Sequence, residues 1–406
     1  MATTHQAHPT PTVTDAGRSA RWLTYLLFLL FAVTTDAVGV IIPEVIAEFG
    51  LTLTQASGFH YVTMLAIALS GLGLGFLADR YGRKRTILLG MGLFSAATLG
   101  FVASSQYGVF LLLIFTMGLA IGIFKTGALA LVGDVSSDPH SHTRTMNLAE
   151  GFFGVGAIAG PAIVTYMISQ DVHWTWLYGV TGASCLAILL FVLGQTFPDY
   201  QPASASNAGL KPTLRKIKDP YVLGFSAAIA LYVVTEAAIY VWMPTYLLGY
   251  DGQFELVATY ALTGFFIFRA AGRFIGAWIL HSLPWKTVLT VFSGGIALCY
   301  AGAVALGVNA AAWLLPLSGI FMSIMYPTIN SKGISCFAPS EHGAVAGIIL
   351  FFTAIAAAGG PLVMALLGDA FGDVAYGFYF TLGCAFGLFV LALLNQLFDL
   401  AGKRVN

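Results

Sequence analysis

The stretch Gly75–Arg85 reads GFLADRYGRKR. An apolar run that starts at Tyr61 ends at Ala78, and another starts at Thr86. Between them one acid and four cations, Asp79, Arg80, Arg83, Lys84 and Arg85, fall within seven residues. A segment this short is no domain, so it must be a tight hairpin between two helices. Its charge is excluded from hydrocarbon and marks a water interface. Positive charge in a short loop beside membrane helices marks the cytoplasmic side.

Of 406 residues, 58% are hydrophobic and only 9% charged, where a soluble domain carries about 25% charged residues. That balance excludes a soluble fold and points to a polytopic, all-α membrane protein. The net charge of zero says little about partners, because its distribution matters more. The expected partners are the lipid bilayer and a small-molecule solute, with no nucleic acid, for a chain acting as a monomer. The four cysteines (Cys185, Cys299, Cys336, Cys384) lie inside apolar runs and read as small hydrophobes, not as a disulfide set or a metal site. Residues 1–20 are polar and lack the apolar core of a cleavable signal. They read as a disordered cytoplasmic tail, with the first apolar run as an uncleaved insertion signal.

A spanning helix needs about 20 mostly apolar residues. Twelve candidates follow at 22–43, 57–79, 86–104, 108–133, 144–169, 174–195, 220–248, 256–281, 285–306, 310–336, 342–368 and 375–399. The long connection 196–219, with Pro198, Pro202 and a basic end at Lys211, Arg215, Lys216 and Lys218, separates an N-terminal bundle (21–195) from a C-terminal one (220–400), followed by a tail at 401–406. The odd-numbered loops carry Glu44, Glu48, Asp171, Asp251, Glu255, Asp369 and Asp373 and no Lys or Arg. The tails and even-numbered loops carry the cations, among them Arg18, Arg21, Arg144, Lys286, Lys403 and Arg404. Both termini are therefore expected in the cytoplasm.

The two bundles repeat each other. Asp36 pairs with Glu236, Gly160-Pro161 with Gly360-Pro361, and Lys84 with Lys286, each about 200 positions apart. Parallel repeats with a binding site at midplane between them are a transporter architecture.

Gly75–Lys84 also fits, position by position, the G-x-L-A-D-R-x-G-R-K loop between helices 2 and 3 of the major facilitator superfamily. The chain resembles that superfamily over essentially its whole length. The resemblance implies two pseudosymmetric six-helix bundles and a cytoplasmic gate motif at Gly75, Asp79, Arg80, Gly82, Arg83 and Lys84. It also implies a bacterial cytoplasmic (inner) membrane location. Helix 7 resembles the fucose:proton symporter-like branch through Glu236, Trp242, Pro244 and Tyr246, and Asn147–Pro161 is similar to that branch's helix 5. Helix 1 places Asp36 at the branch's coupling carboxylate. Members that carry fucose have an acid in helix 4, where Lys125 stands here. The efflux antiporters' helix 5 motif is met at Gly156 and Gly160-Pro161 but fails at Asn147 and Val164, where it requires glycines.

Ionisable side chains inside spans are costly and usually functional. The resemblance implies a cavity lined by helices 1, 4, 7 and 10, and Asp36, Lys125 and Glu236 lie on three of these. Arg269 lies near the centre of helix 8. A carboxylate beside a cation in a dry site stands between two opposed effects. The charge favours its ionised form and desolvation its neutral form, which suits a group that takes and releases a proton. The alternative for each residue is a static ion pair that fixes helix packing. Asp36 and Glu236 are thus the proton-coupling candidates. Lys125, Arg269, Asn330, Tyr326, Trp242, Tyr232 and Tyr240 are the substrate-binding candidates, the rings for C–H faces and the polar groups for hydroxyls. His60 and Tyr61, at the start of helix 2, are candidates for the outer gate. The sequence reads as a secondary active transporter of a sugar or sugar derivative, neutral or acidic, by proton symport and alternating access. The coupling ion is H+ or Na+, and no cofactor is expected. An efflux antiporter is the alternative, and a non-transporting membrane sensor the alternative of another class. No nucleotide loop, metal cluster or nucleophile–base pair suggests an enzyme.

Overall fold

The structure, a computed structural model, describes residues 15–73, 80–134, 139–194, 217–338 and 341–402. Gly75, Asp79, most of the 196–219 connection and most of both tails lie outside these. Every regular element among the described residues is a helix. Eleven stretches are long and apolar enough to cross a membrane, and Gly58–Gly73 is the described part of the remaining span.

Span 1 is two helices, Asp15–Thr35 and Val38–Phe49, and span 2 is Gly58–Gly73. Spans 3 to 6 are Arg83–Val102, Tyr107–Asp134, Pro139–Ser169 and Thr175–Leu193. Spans 7 to 9 are Pro220–Tyr246, Ala261–Ser282 and Trp285–Leu306. Span 10 is again two helices, Val308–Met322 and Met325–Ser335, and spans 11 and 12 are His342–Phe371 and Ala375–Phe398. Two features differ from the sequence reading. Spans 1 and 10 are broken in mid-course, at Asp36–Ala37 and Ser323–Ile324; the second break lies four residues before Pro327, which has no N–H to bond the Ser323 carbonyl. Glu44 and Glu48 belong to the second helix of span 1 and not to a loop.

Local chemistry sets the ends. Gly50 (φ 61°) and Gly372 (φ 76°) close spans 1 and 11 in the left-handed conformation, which glycine adopts without a Cβ penalty. Thr52 and Gln55 form a reciprocal capping box on the short helix Leu53–Ala56. Asp219 caps span 7 through Tyr221 N–H at 2.9 Å, with Pro220 at the first helical position. Gly82, at φ 88°, turns the chain into span 3, so the glycine of the GRKR segment is required by backbone geometry. Lys84 Nζ then donates to the last carbonyls of span 6, at Leu193, over 3.3 Å.

Helix pairing repeats with an offset of six. Spans 1·5, 2·4, 3·4, 3·6 and 1·6 pack in the N-terminal half, and 7·11, 8·10, 9·10, 9·12 and 7·12 in the C-terminal half. Small residues permit the tightest of these contacts. A Cβ on Gly156 or Gly160 would collide with the Leu29 or Val33 carbonyl of span 1. A Cβ on Gly360 would press on Val234 of span 7. Among the described residues the halves meet where the second helix of span 1 packs on span 7, span 2 and the short helix Leu53–Ala56 on span 11, and span 5 on span 8.

Candidate functional site

Spans 7, 8 and 10 build the C-terminal wall. Glu236 is buried, 8% exposed, one helical turn beyond Tyr232 on span 7. Arg269 of span 8 sends Nη2 to Glu236 Oε1 at 2.5 Å. The Tyr232 hydroxyl lies 2.9 Å from Glu236 Oε1 and 3.0 Å from the Met322 carbonyl, at the break in span 10. A phenol has one hydrogen to donate, so it serves one of these acceptors at a time. Arg269 Nε is buried without a hydrogen-bond partner among the described residues, which leaves the guanidinium half satisfied. Behind Glu236, the Tyr300 hydroxyl donates to the Thr235 carbonyl at 2.5 Å.

Spans 1, 4 and 5 build the facing wall. Asp36 sits at the break in span 1, where the Thr35 hydroxyl lies 3.0 Å from its Oδ2 and 3.0 Å from the Phe31 carbonyl, with one hydrogen for the two. It feels the charges of Arg269, Glu236 and Lys125, but no cation lies within ion-pairing distance of it among the described residues. Lys125 Nζ hangs over two rings, 5.3 Å from the centre of Phe28 and 5.2 Å from that of Phe153. Such contacts ease a cation's desolvation without neutralising it. Its electrostatic neighbours are Glu150 and Asp36. Glu150 and Arg273 are exposed and feel each other across the gap between the halves. Tyr326, half-buried on span 10, is also within range of Glu236 and Glu150.

The structure thus gathers Asp36, Lys125, Glu236, Arg269, Tyr232 and Tyr326 from the sequence candidates. Trp242 is fully buried and donates Nε1 to the Pro361 carbonyl at 2.9 Å, so in this conformation it packs span 7 on span 11 and offers no face to a solute. Tyr240 lies edge-on to His60, 5.4 Å between ring centres, at the seal described below. Asn330 is half-buried on the second helix of span 10. Arg80 is exposed and stacks over Tyr81 at 5.5 Å. Sequence reading missed Phe28 and Phe153, because an aromatic beside a lysine's path looks the same in sequence as one facing lipid. It also missed Thr35, although the hydroxyl pair ahead of Asp36 was a usable signal. A cavity of about 430 Å³ elsewhere, inside the C-terminal half, is lined by apolar groups such as Phe225, Leu289 and Ile329 and does not include the charged cluster.

The halves are closed at the end carrying the acidic loops. Asp369, on span 11, accepts from the Leu53 and Thr54 N–H groups at 2.8 Å each, capping a helix that belongs to the other half. His60 Nε2 donates to the Ala357 carbonyl at 2.9 Å. Pro361 explains that acceptor: it has no N–H to bond residue 357, so a carbonyl inside span 11 is left open for a donor from span 2. Gly39 meets the Tyr240 carbonyl with no room for a Cβ.

Residues 24–361 match the sequence profile of the Major Facilitator Superfamily. A Protein TsgA homolog of Citrobacter koseri is 21% identical over 77% of this chain and 78% of its own. The L-fucose-proton symporter of Escherichia coli K12 is 25% identical over 89% of this chain and 90% of its own. Among solved structures, a bacterial homolog of the human lysosomal transporter Spinster, in an inward-facing and unoccupied conformation, superposes with a TM-score of 0.73 at 13% identity, covering 97% of this chain and 98% of that one. The profile match spans most of the twelve helices, and the chain belongs to the Major Facilitator Superfamily, a family of multi-pass membrane transporters and not of enzymes.

Proposed function

We propose that this chain takes up a sugar or sugar derivative together with a proton, by alternating access of a site between its halves. The observation that carries this reading is the unequal pairing of the two facing carboxylates. Glu236 is held by Arg269 and Tyr232, whereas among the described residues the side-chain partner of Asp36 is the neighbouring Thr35 hydroxyl. A buried carboxylate with a cation at contact is already balanced, whereas one without such a cation can be balanced by a proton. On this reading Asp36 is the proton carrier, H+ and not Na+ is the coupling ion, and Arg269 responds when the proton leaves. The sugar class is supported by the similarity to a fucose-proton symporter and by the ring and hydroxyl groups of Tyr232 and Tyr326 beside the charges.

The basic end is assigned to the cytoplasm and both termini with it, in the inner membrane of a bacterium, with a single chain as the working unit. The conformation, sealed by Asp369 and His60 at the acidic end, is then the one that releases solute inward. The test is uptake into proteoliposomes under an imposed pH gradient, with a panel of sugars and sugar acids and a parallel sodium gradient. Solute-induced alkalinisation of the outer medium is the expected result, and its absence for every solute would sink the reading. Asp36→Asn is expected to abolish accumulation while leaving counterflow exchange. Full accumulation by that variant removes Asp36 from the coupling role.

A further inference from the structure

The structure separates two cations that sequence reading treats alike. Arg269 is neutralised by Glu236 at contact, so it is committed before a solute arrives. Lys125 lies on the other half, on the opposite wall. It is framed by Phe28 and Phe153 and has no carboxylate at ion-pairing distance among the described residues. The groups that face one another here are Asp36 from span 1, Lys125 from span 4, Glu150 from span 5, Glu236 from span 7, and Arg269 and Arg273 from span 8. Among the described residues three acids face three cations, so that set is neutral when Asp36 is ionised and carries one positive charge when Asp36 holds its proton. A low-dielectric site with one uncompensated cation favours a ligand that supplies one negative charge.

Resting on the symport reading above, we propose that the solute is a monocarboxylate, a sugar acid in the simplest case, and that Lys125 binds its carboxylate between the rings of Phe28 and Phe153. The rings lie against Nζ itself and ease its desolvation, while its hydrogens remain for the solute oxygens. The consequence is electrical. A proton on Asp36 and a carboxylate on Lys125 cross together, so no net charge moves. Uptake then answers to the pH gradient and ignores the membrane potential.

The experiment uses purified full-length protein, alone and in proteoliposomes, with D-galacturonate and D-gluconate against their neutral counterparts D-galactose and D-glucose. The expected result is binding of an acid at least tenfold tighter than of its neutral partner. Uptake should be driven by an alkaline interior and unchanged by a valinomycin-imposed potassium potential. Lys125→Gln is expected to lose the tenfold preference and Lys125→Arg to keep most of it, with thermal melting checking that both fold. Equal binding of acid and sugar, or wild-type preference in Lys125→Gln, overturns the proposal. Accumulation of a neutral sugar that a potential alone accelerates overturns it too, while leaving proton symport standing. If no solute of either kind induces proton movement, symport falls and the proposal falls with it.

Discussion

Glu236 and Arg269 hold each other in a site where neither is more than a quarter exposed at its side chain. Removing one partner of such a pair strands the other's charge, at about 3–5 kcal/mol, whereas removing both costs far less. Glu236→Gln and Arg269→Gln are each expected to lower the melting temperature in detergent, and the double variant to recover much of the loss. Additive losses would show that the contact contributes nothing. Tyr232→Phe deletes a hydroxyl that serves either Glu236 or the Met322 carbonyl, and is expected to lower the melting temperature by the cost of an unpaired buried acceptor, about 1–3 kcal/mol. Asp36, Lys125, Glu236 and Arg269 were legible in sequence because a charge inside an apolar run is conspicuous at any resolution. Which of them pair was not legible, because pairing depends on how spans far apart in sequence are rotated toward one another. Trp242 shows the same limit from the other side: its composition suits a sugar, and its orientation puts it against Pro361.

Among the elements, spans 1 and 10 have breaks, the second announced by Pro327 four residues on, and both breaks adjoin the charged cluster, at Asp36 and at Met322. Discontinuous helices free backbone groups at membrane depth, and such freed groups are tolerated only where protein or a cavity meets them. Tyr232 at Met322 is one such meeting. The prolines act one step removed. Pro361 opens the Ala357 carbonyl that His60 uses, so Pro361→Ala is expected to return an N–H to that carbonyl and displace His60. The checking measurement is labelling of a cysteine introduced by Ser57→Cys with an impermeant maleimide from the acidic-loop side, which should quicken in Pro361→Ala and in His60→Ala. Unchanged labelling in both would show that the bond does not help hold the seal. The glycine contacts of spans 5 and 11 follow directly from GVGAIAGP and AIAAAGGP. The partner of His60 does not, since nothing in HYVTM names a carbonyl 297 positions away.

For the molecule as a whole, charge polarity and a six-plus-six division were readable because each is summed over many residues and survives local error. The closure at one end was not, because it rests on a handful of contacts between the halves. Asp369 is the most exposed of these, and its two oxygens take two backbone hydrogens. Asp369→Asn can accept only through one oxygen, so the distance between spin labels at Gln55 and Phe371 is expected to broaden toward longer values. A distribution identical to wild type would remove Asp369 from the latch. The pairing between halves has one more consequence. Span 2 meets span 11 and span 8 meets span 5, and under the offset of six these are the same contact made twice, with the roles of the halves exchanged. Span 1 meets its own counterpart, span 7. That is the isologous contact of a twofold dimer, here made within one chain. A six-helix unit whose surface matched itself could make both contacts with a second copy, and carrying two such units in one chain lets the paired positions Asp36 and Glu236 hold different partners, a hydroxyl and a guanidinium.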